Sequence, residues 1–260
     1  MHESRSIIDP NIDLEESIRA LKSRRNELSP ISCLPVEILC KIFKFSERLA
    51  ASSFWWLTPG SLTNFSQVSQ HWRSSALSAP ELWTNIPFNC HRWAQEMLIR
   101  SKKANLTLTM KLQSYSYRFF KETDPKVIET VRSCLYEMDR VEKIDFRAIL
   151  GRTLEEYFRN CPKSAPQLHT LCISSKGKAF SIDDDFLYDT ELLRNVELIN
   201  CKISLNSQLL TGLTCLKLQD SLKANSSIVQ VLHALQRMPP GLIDLYLGDS
   251  IPDDSEGLST

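Results

Sequence analysis

Five segments of the chain repeat one spacing of apolar residues: Val141-x-x-Ile144-x-Phe146, Leu168-x-x-Leu171-x-Ile173, Leu193-x-x-Val196-x-Leu198, Leu213-x-x-Leu216-x-Leu218 and Leu242-x-x-Leu245-x-Leu247. Their starts lie 27, 25, 20 and 29 residues apart. Within each template the second and third apolar positions alternate with polar ones, the sign of a half-buried strand. A unit of this size carries its apolar residues on one face and buries that face only against a neighbouring unit, so the spacing implies stacked strand-plus-helix units sharing one core.

Helix signals fall between the strands. Asp124-Pro125 opens a run with Val127, Ile128, Val131, Leu135 and Met138 on one face, a helix start of the capped kind. Thr153 opens another, with Leu154, Tyr157 and Phe158 before Cys161-Pro162. Ser181-x-x-Asp184 has the form of a capping box ahead of Phe186, Leu187 and Leu192. Ser227 precedes Ile228, Val231, Leu232, Leu235 and Met238, and Pro239-Pro240-Gly241 stops that run. A helix over about 91–103 and the alternating Leu106–Met110 supply a first unit. The period is that of leucine-rich repeats, roughly 20–29 residues. Residues 89–260 thus resemble that family irregularly, with its consensus Asn or Cys clear only at Cys201.

Upstream, the pattern is helical. Pro35 suits a first helical position, and Glu37 complements the positive end of the helix dipole. Ile38, Leu39, Ile42 and Phe43 then share one helical face, and Leu62, Phe65, Val68, Trp72 and Ala76 form a second stripe of the same period. Pro80-Glu81-Leu82-Trp83 reads as a short third turn closed by Pro87. Leu34 stands near the first N-cap, where Ser, Asp or Asn would stabilise the helix by about 1 kcal/mol more, so a contact made outward explains a leucine there. Three short helices of this extent bury little surface of their own and call for a partner.

Leu34-Pro35-Val36-Glu37-Ile38-Leu39, Ile42-Phe43, Val68-Ser69-Gln70-His71-Trp72 and Leu82-Trp83 resemble, in that order, the F-box family, in its fungal F-box-like form. The resemblance covers residues 30–88. It implies binding to a Skp-type adaptor, and through it to a cullin scaffold carrying a RING subunit and a charged ubiquitin-conjugating enzyme. Matched position by position, the adaptor contacts fall on Leu34, Pro35, Ile38, Leu39, Ile42, Phe43, Val68, Trp72, Leu82 and Trp83. The stretch 44–60, with Phe54-Trp55-Trp56, is longer than the family's usual link, and its tryptophans are expected in the core. Residues 1–29 precede the box as a heptad-like helix with Leu14, Ile18, Leu21 and Leu28 in its seam and Arg25 at the remaining position. That is too short for a coiled coil and is expected to pack on its own chain.

The fold expected is an all-helical F-box followed by a short leucine-rich-repeat-like α/β solenoid. Thirty-one basic residues balance thirty-one acidic ones, so no electrostatic footprint for nucleic acid or an anionic membrane exists. Without a long apolar run or a leader-like N-terminus, the chain is expected to be cytoplasmic or nuclear, and monomeric apart from the adaptor. Its eight cysteines lack Cys-x-x-Cys spacing, several lie within apolar patterns, and reduced, buried thiols are expected.

Catalytic constellations are sparse. Cys90-His91 sits in no cysteine-protease signature, the five histidines lack metal spacing, and no Gly-rich phosphate loop occurs. Asp183-Asp184-Asp185 reads as acidic residues at a helix start rather than as a cation loop. The chain is therefore expected to be a non-catalytic subunit without cofactor or metal. As a substrate-recognition adaptor of an SCF-type cullin–RING ubiquitin ligase, it holds the adaptor at one end and an unknown target protein at the other. Two alternatives remain open: a non-degradative adaptor complex, and a repeat scaffold whose box-like helices merely cap it. If the repeats stack, alternation puts Lys143, Asp145, Arg147, Thr170, Cys172, Asn195, Glu197, Lys217, Gln219, Asp244 and Tyr246 on the concave, target-reading face.

Overall fold

The computed structural model describes residues 10–51, 61–88, 90–112, 122–222 and 241–248, with 229, 233 and 236. The chain divides into two compact units, Met1–Leu82 and Trp83–Thr260.

The first unit is helical: α1 (Pro10–Glu27), a 3₁₀ turn (Pro30–Cys33), α2 (Val36–Ala51), α3 (Ser61–Val68), α4 (Gln70–Ser78) and a second 3₁₀ turn (Pro80–Leu82). α2 starts within one residue of Pro35, whose carbonyl accepts from the Ile38 and Leu39 amides at 3.0 and 3.1 Å. It runs on to Ala51, taking up the first half of the long link; Phe54, Trp55 and Trp56 lie outside the described residues.

Two expectations are corrected here. The stripe from Leu62 to Ala76 is two helices, because Ser69 adopts an extended conformation (φ −156°, ψ 166°) and its side chain accepts from the Trp72 amide at 3.1 Å. That capping bond starts a new helix and ends the old one at Val68. The α1 seam does not pack on its own chain: Leu14, Ile18, Leu21 and, just beyond the helix, Leu28 are all exposed. Arg25, also exposed, interrupts the stripe and leaves it too narrow to seal against a neighbour.

The second unit is built on a seven-stranded sheet in which every neighbouring pair is parallel and spatial order follows chain order: β1 (Asn85–Pro87), β2 (Leu106–Lys111), β3 (Val141–Leu150), β4 (Thr170–Lys176), β6 (Asn195–Ile199), β8 (Cys215–Gln219) and β9 (Asp244–Gly248). The sheet begins at Asn85, a strand that the reading of the sequence lacked. Between strands come α5 (His91–Arg100), α6 (Pro125–Leu135) and α7 (Gly151–Phe158). The Asp124 side chain caps α6 by accepting from the Lys126 amide at 2.9 Å.

Register aligns the repeated apolar positions into rows. Leu108, Ile144, Leu171, Val196 and Leu216 form one, and Met110, Phe146, Ile173, Leu198 and Leu218 the next; all are buried. Only on the last strand does the row emerge, at Leu245, which is 40% exposed. Backbone rungs repeat with the strands. The His169 carbonyl accepts from the Arg194 and Asn195 amides, that of Arg194 from Thr214 and Cys215, and that of Thr214 from Ile243 and Asp244.

The return segments after β4 and β6 hold no α-helix, which corrects the expected helix after Ser181. Ser181 lies in β5 (Phe180–Ile182), which pairs in parallel with β7 (Cys201–Ile203), and Leu222 bridges onward to Ile203. Phe186 packs against the rings of Phe158 and Phe180 at 4.9 and 5.7 Å. That aromatic cluster, not a helix turn, holds the segment. Asp183, Asp184 and Asp185 are exposed loop residues, and Asp185 pairs with Lys163. The expected helix after Ser227 is described only at Val229, His233 and Gln236, which are helical.

Candidate protein-binding surfaces

On α2 the apolar residues divide by angle. Leu39, Cys40 and Phe43 face inward. The Phe43 ring stacks on Phe65 at 4.6 Å and tilts against Trp72 at 5.1 Å, while the Cys40 thiol donates to the Ser75 carbonyl at 3.8 Å. Burial, with Glu81 and Glu37 nearby, pushes that thiol pKa up. Ile38, Ile42 and Phe45 lie on a different flank of the helix, at i, i+4 and i+7. Ile38 is 39% and Phe45 63% exposed, with Ile42 half-buried between them.

The ten residues matched to adaptor contact therefore separate into groups. Pro35, Ile38 and Val68 are exposed; Leu34, Ile42 and Trp72 are half-buried; Leu39, Phe43, Leu82 and Trp83 are buried inside this chain. Trp83 packs edge-on against Trp93 at 5.9 Å, with the Arg100 guanidinium 4.5 Å above its ring. Phe45, the most exposed residue of the α2 flank, was missed; continuing the helical count one turn past Ile42 finds it.

The second surface is the face of the sheet opposite the buried rows. Register sets Asp145, Cys172, Glu197, Lys217 and Tyr246 in one line across β3, β4, β6, β8 and β9. A second line, toward the strand starts, holds Lys143, Thr170, Asn195, Cys215 and Asp244. Arg147 and Gln219 stand two residues further along their strands than Asp145 and Lys217. The strand residues expected on one face do share it.

They are joined by charge. Asp145, only 2% exposed, sits among Arg147 at 2.6 Å, Lys111 at 3.1 Å and Lys143 at 3.7 Å. Arg147 also forks onto Glu197 at 3.0 and 2.7 Å, and Lys217 reaches Glu197 at 3.1 Å. Lys217 lies 5.4 Å from the Tyr246 ring centroid. The hydrogen bonds from Arg147 hold the Glu197 carboxyl below its ordinary pKa against the opposing effect of burial, and Lys217 adds to the effect. Cys172, in the middle of the line, is pushed up to about 11 by burial, with the carboxylate of Asp145 adding to it. Such a thiol stays protonated and is no nucleophile at neutral pH.

Lys111 belongs to this network and was also missed; it aligns with Arg147 across β2 and β3. Cys90 precedes α5 without capping it through its side chain. Among the described residues no group of His, Cys, Asp or Glu is placed to hold a metal ion, and no helix is long and apolar enough to cross a membrane.

Residues 31–89 match the F-box-like family model. No curated protein and no solved structure matches the chain. The match spans the first 3₁₀ turn, α2, α3, α4 and β1.

Proposed function

We propose that the chain is the substrate-recognition subunit of an SCF-type cullin–RING ubiquitin ligase. In this reading the helical region binds a Skp-type adaptor and the C-terminal sheet presents a target protein. The observation that carries the adaptor half is the F-box-like match over residues 31–89. The flank Ile38–Ile42–Phe45 supports it, because apolar residues aligned on an exposed helix face are the material of a protein interface. Contacts fall first on Pro35, Ile38, Phe45 and Val68, with Leu34, Ile42 and Trp72 at their margin. Leu39, Phe43 and Leu82 are buried in the helical unit and Trp83 in the sheet unit, so these four hold the fold.

The target half rests on the chain-ordered parallel sheet and its stacked rows, read as a leucine-rich-repeat-like solenoid. Lys143, Arg147, Thr170, Asn195, Lys217, Gln219, Asp244 and Tyr246 form the presenting face, with Asp145 and Glu197 as internal struts. No bond is made or broken by this chain: it concentrates target lysines near a conjugating enzyme.

Capture of a purified Skp-type adaptor by the full chain tests the reading. Wild type binds, Ile38→Asp and Phe45→Asp lose binding roughly tenfold or more while keeping the wild-type melting temperature, and a cullin co-purifies with the wild-type pair. Adaptor capture that ignores both substitutions would count against this surface. Capture without any cullin would count against the ligase.

A further inference from the structure

Charge on the outer face of the sheet is sorted by depth. The two carboxylates at its centre are sunk, with side-chain exposures of 3% for Asp145 and 19% for Glu197. The cations around them stand out: 42% for Lys111, 40% for Lys143, 34% for Arg147 and 40% for Lys217. Four positive groups thus surround two negative ones, and the negative ones are the less accessible to a partner. Two further carboxylates lie at the strand starts: Glu142, which accepts from the Thr107 hydroxyl at 3.2 Å, and Asp244, 3.8 Å from the Cys215 thiol. Lys143 shares that end with them, the middle row sets Lys217 beside the sunken Asp145 and Glu197, and the far row pairs Lys111 with Arg147.

We infer that this face binds an acidic segment of a protein, with side-chain carboxylates seated over Lys111, Lys143, Arg147 and Lys217. The inference rests on the reading of the sheet as the target-presenting end and names the chemistry of what it presents. The cations are preorganised, because Asp145 and Glu197 hold them in place before a partner arrives. A carboxylate approaching Arg147 or Lys217 therefore meets a group whose ordering cost is already met within the fold. Lys217 is further steadied by the Tyr246 ring, and neutral polar neighbours Thr170 and Asn195 add no repulsion. Complementary charge of this kind raises the association rate and makes affinity fall with salt.

The test is fluorescence polarisation of labelled peptides with the full chain. One peptide alternates glutamate with alanine, a second has glutamine in place of glutamate, and a third has phosphoserine. The glutamate peptide is expected to bind roughly tenfold or more tighter than the glutamine peptide, a preference that fades as salt is raised. The triple variant Lys111→Gln, Lys143→Gln, Lys217→Gln is expected to lose that preference while staying folded at the assay temperature by circular dichroism, because Arg147 still pairs with Asp145 and Glu197. Equal binding of glutamate and glutamine peptides would overturn the inference, and so would a preference that survives the triple substitution. Binding of the phosphoserine peptide alone would overturn the carboxylate assignment. Adaptor capture by the same preparation is read in parallel. Capture without peptide discrimination defeats the acidic-segment inference alone, and discrimination without capture defeats the ligase reading alone.

Discussion

The guanidinium of Arg147 on β3 donates to both carboxylate oxygens of Glu197 on β6, although β4 runs between the two strands. At that level β4 carries Cys172, aligned with Asp145 on one side and Glu197 on the other. The small thiol leaves the span open. Replacing it by leucine puts a branched side chain where the arginine crosses, so Cys172→Leu is expected to destabilise the protein by about 1–3 kcal/mol in chemical denaturation. Cys172→Leu and Glu197→Gln should also be less than additive, because both remove the same bridge. Additive losses would show that the bridge does not depend on the residue beneath it.

Glu197 also gives the fold an acid limb. Its carboxyl titrates below the ordinary value, chiefly because Arg147 bonds its charged form. A depressed folded-state pKa adds stability that is complete above the unfolded value, about 4.3, and is lost as pH falls through the lower folded value. The stability gap between wild type and Glu197→Gln is therefore widest near neutral pH and closes below roughly pH 4. Urea denaturation of both proteins across that range measures it. A gap unchanged into strong acid would contradict the pairing.

Reading the sequence located β3, β4, β6, β8 and β9 because burial on one face enforces an apolar period, and Leu171, Val196 and Leu216 keep it. It located the start of α6 because Asp124-Pro125 is a local capping signal, complete within three residues. It failed where the deciding contact is distant. Ser181 and Asp184 have the spacing of a capping box, yet Ser181 is held in a strand by pairing with Lys202, and Phe186 by Phe158 and Phe180. The F-box pattern likewise says which positions are apolar but not which way they point. Ile38 and Leu39 are adjacent in the motif and differ by 100° around the helix, so one faces solvent and the other the core.

Gly151 opens α7, a position where alanine ordinarily stabilises a helix by about 1 kcal/mol. Here a Cβ would meet the Lys178 carbonyl oxygen at 2.2 Å and the Ser175 hydroxyl at 3.0 Å. That carbonyl already accepts from Ser175 at 2.8 Å, so backbone on both sides of the contact is fixed. The clash outweighs the propensity. Gly151→Ala is expected to lower stability by about 1–3 kcal/mol, whereas alanine at Gly177, φ +73° with open space around it, brings only the backbone cost of that conformation, about 1–2 kcal/mol. Thermal melts of the two variants separate a steric effect from a conformational one.

Cys201 was the one consensus residue visible after a repeat template, and Ser221 fills the same place one repeat later. The Cys201 thiol lies 3.5 Å from the Ile173 carbonyl on the preceding strand and 3.3 Å from that of Ile199 on its own. The Ser221 hydroxyl lies 2.9 Å from Leu198 and 2.6 Å from Gln219, and it accepts from the Cys201 amide at 3.3 Å. Ser221 is fully buried, so no water replaces these bonds when the oxygen is removed. Ser221→Ala is expected to cost about 1–3 kcal/mol and to speed hydrogen exchange at the Cys201 amide, which loses this acceptor. Ser221→Cys, which copies the residue of the preceding repeat, should lose less. A slow Cys201 amide in the alanine variant would mean that the strand ladder, not the hydroxyl, protects it.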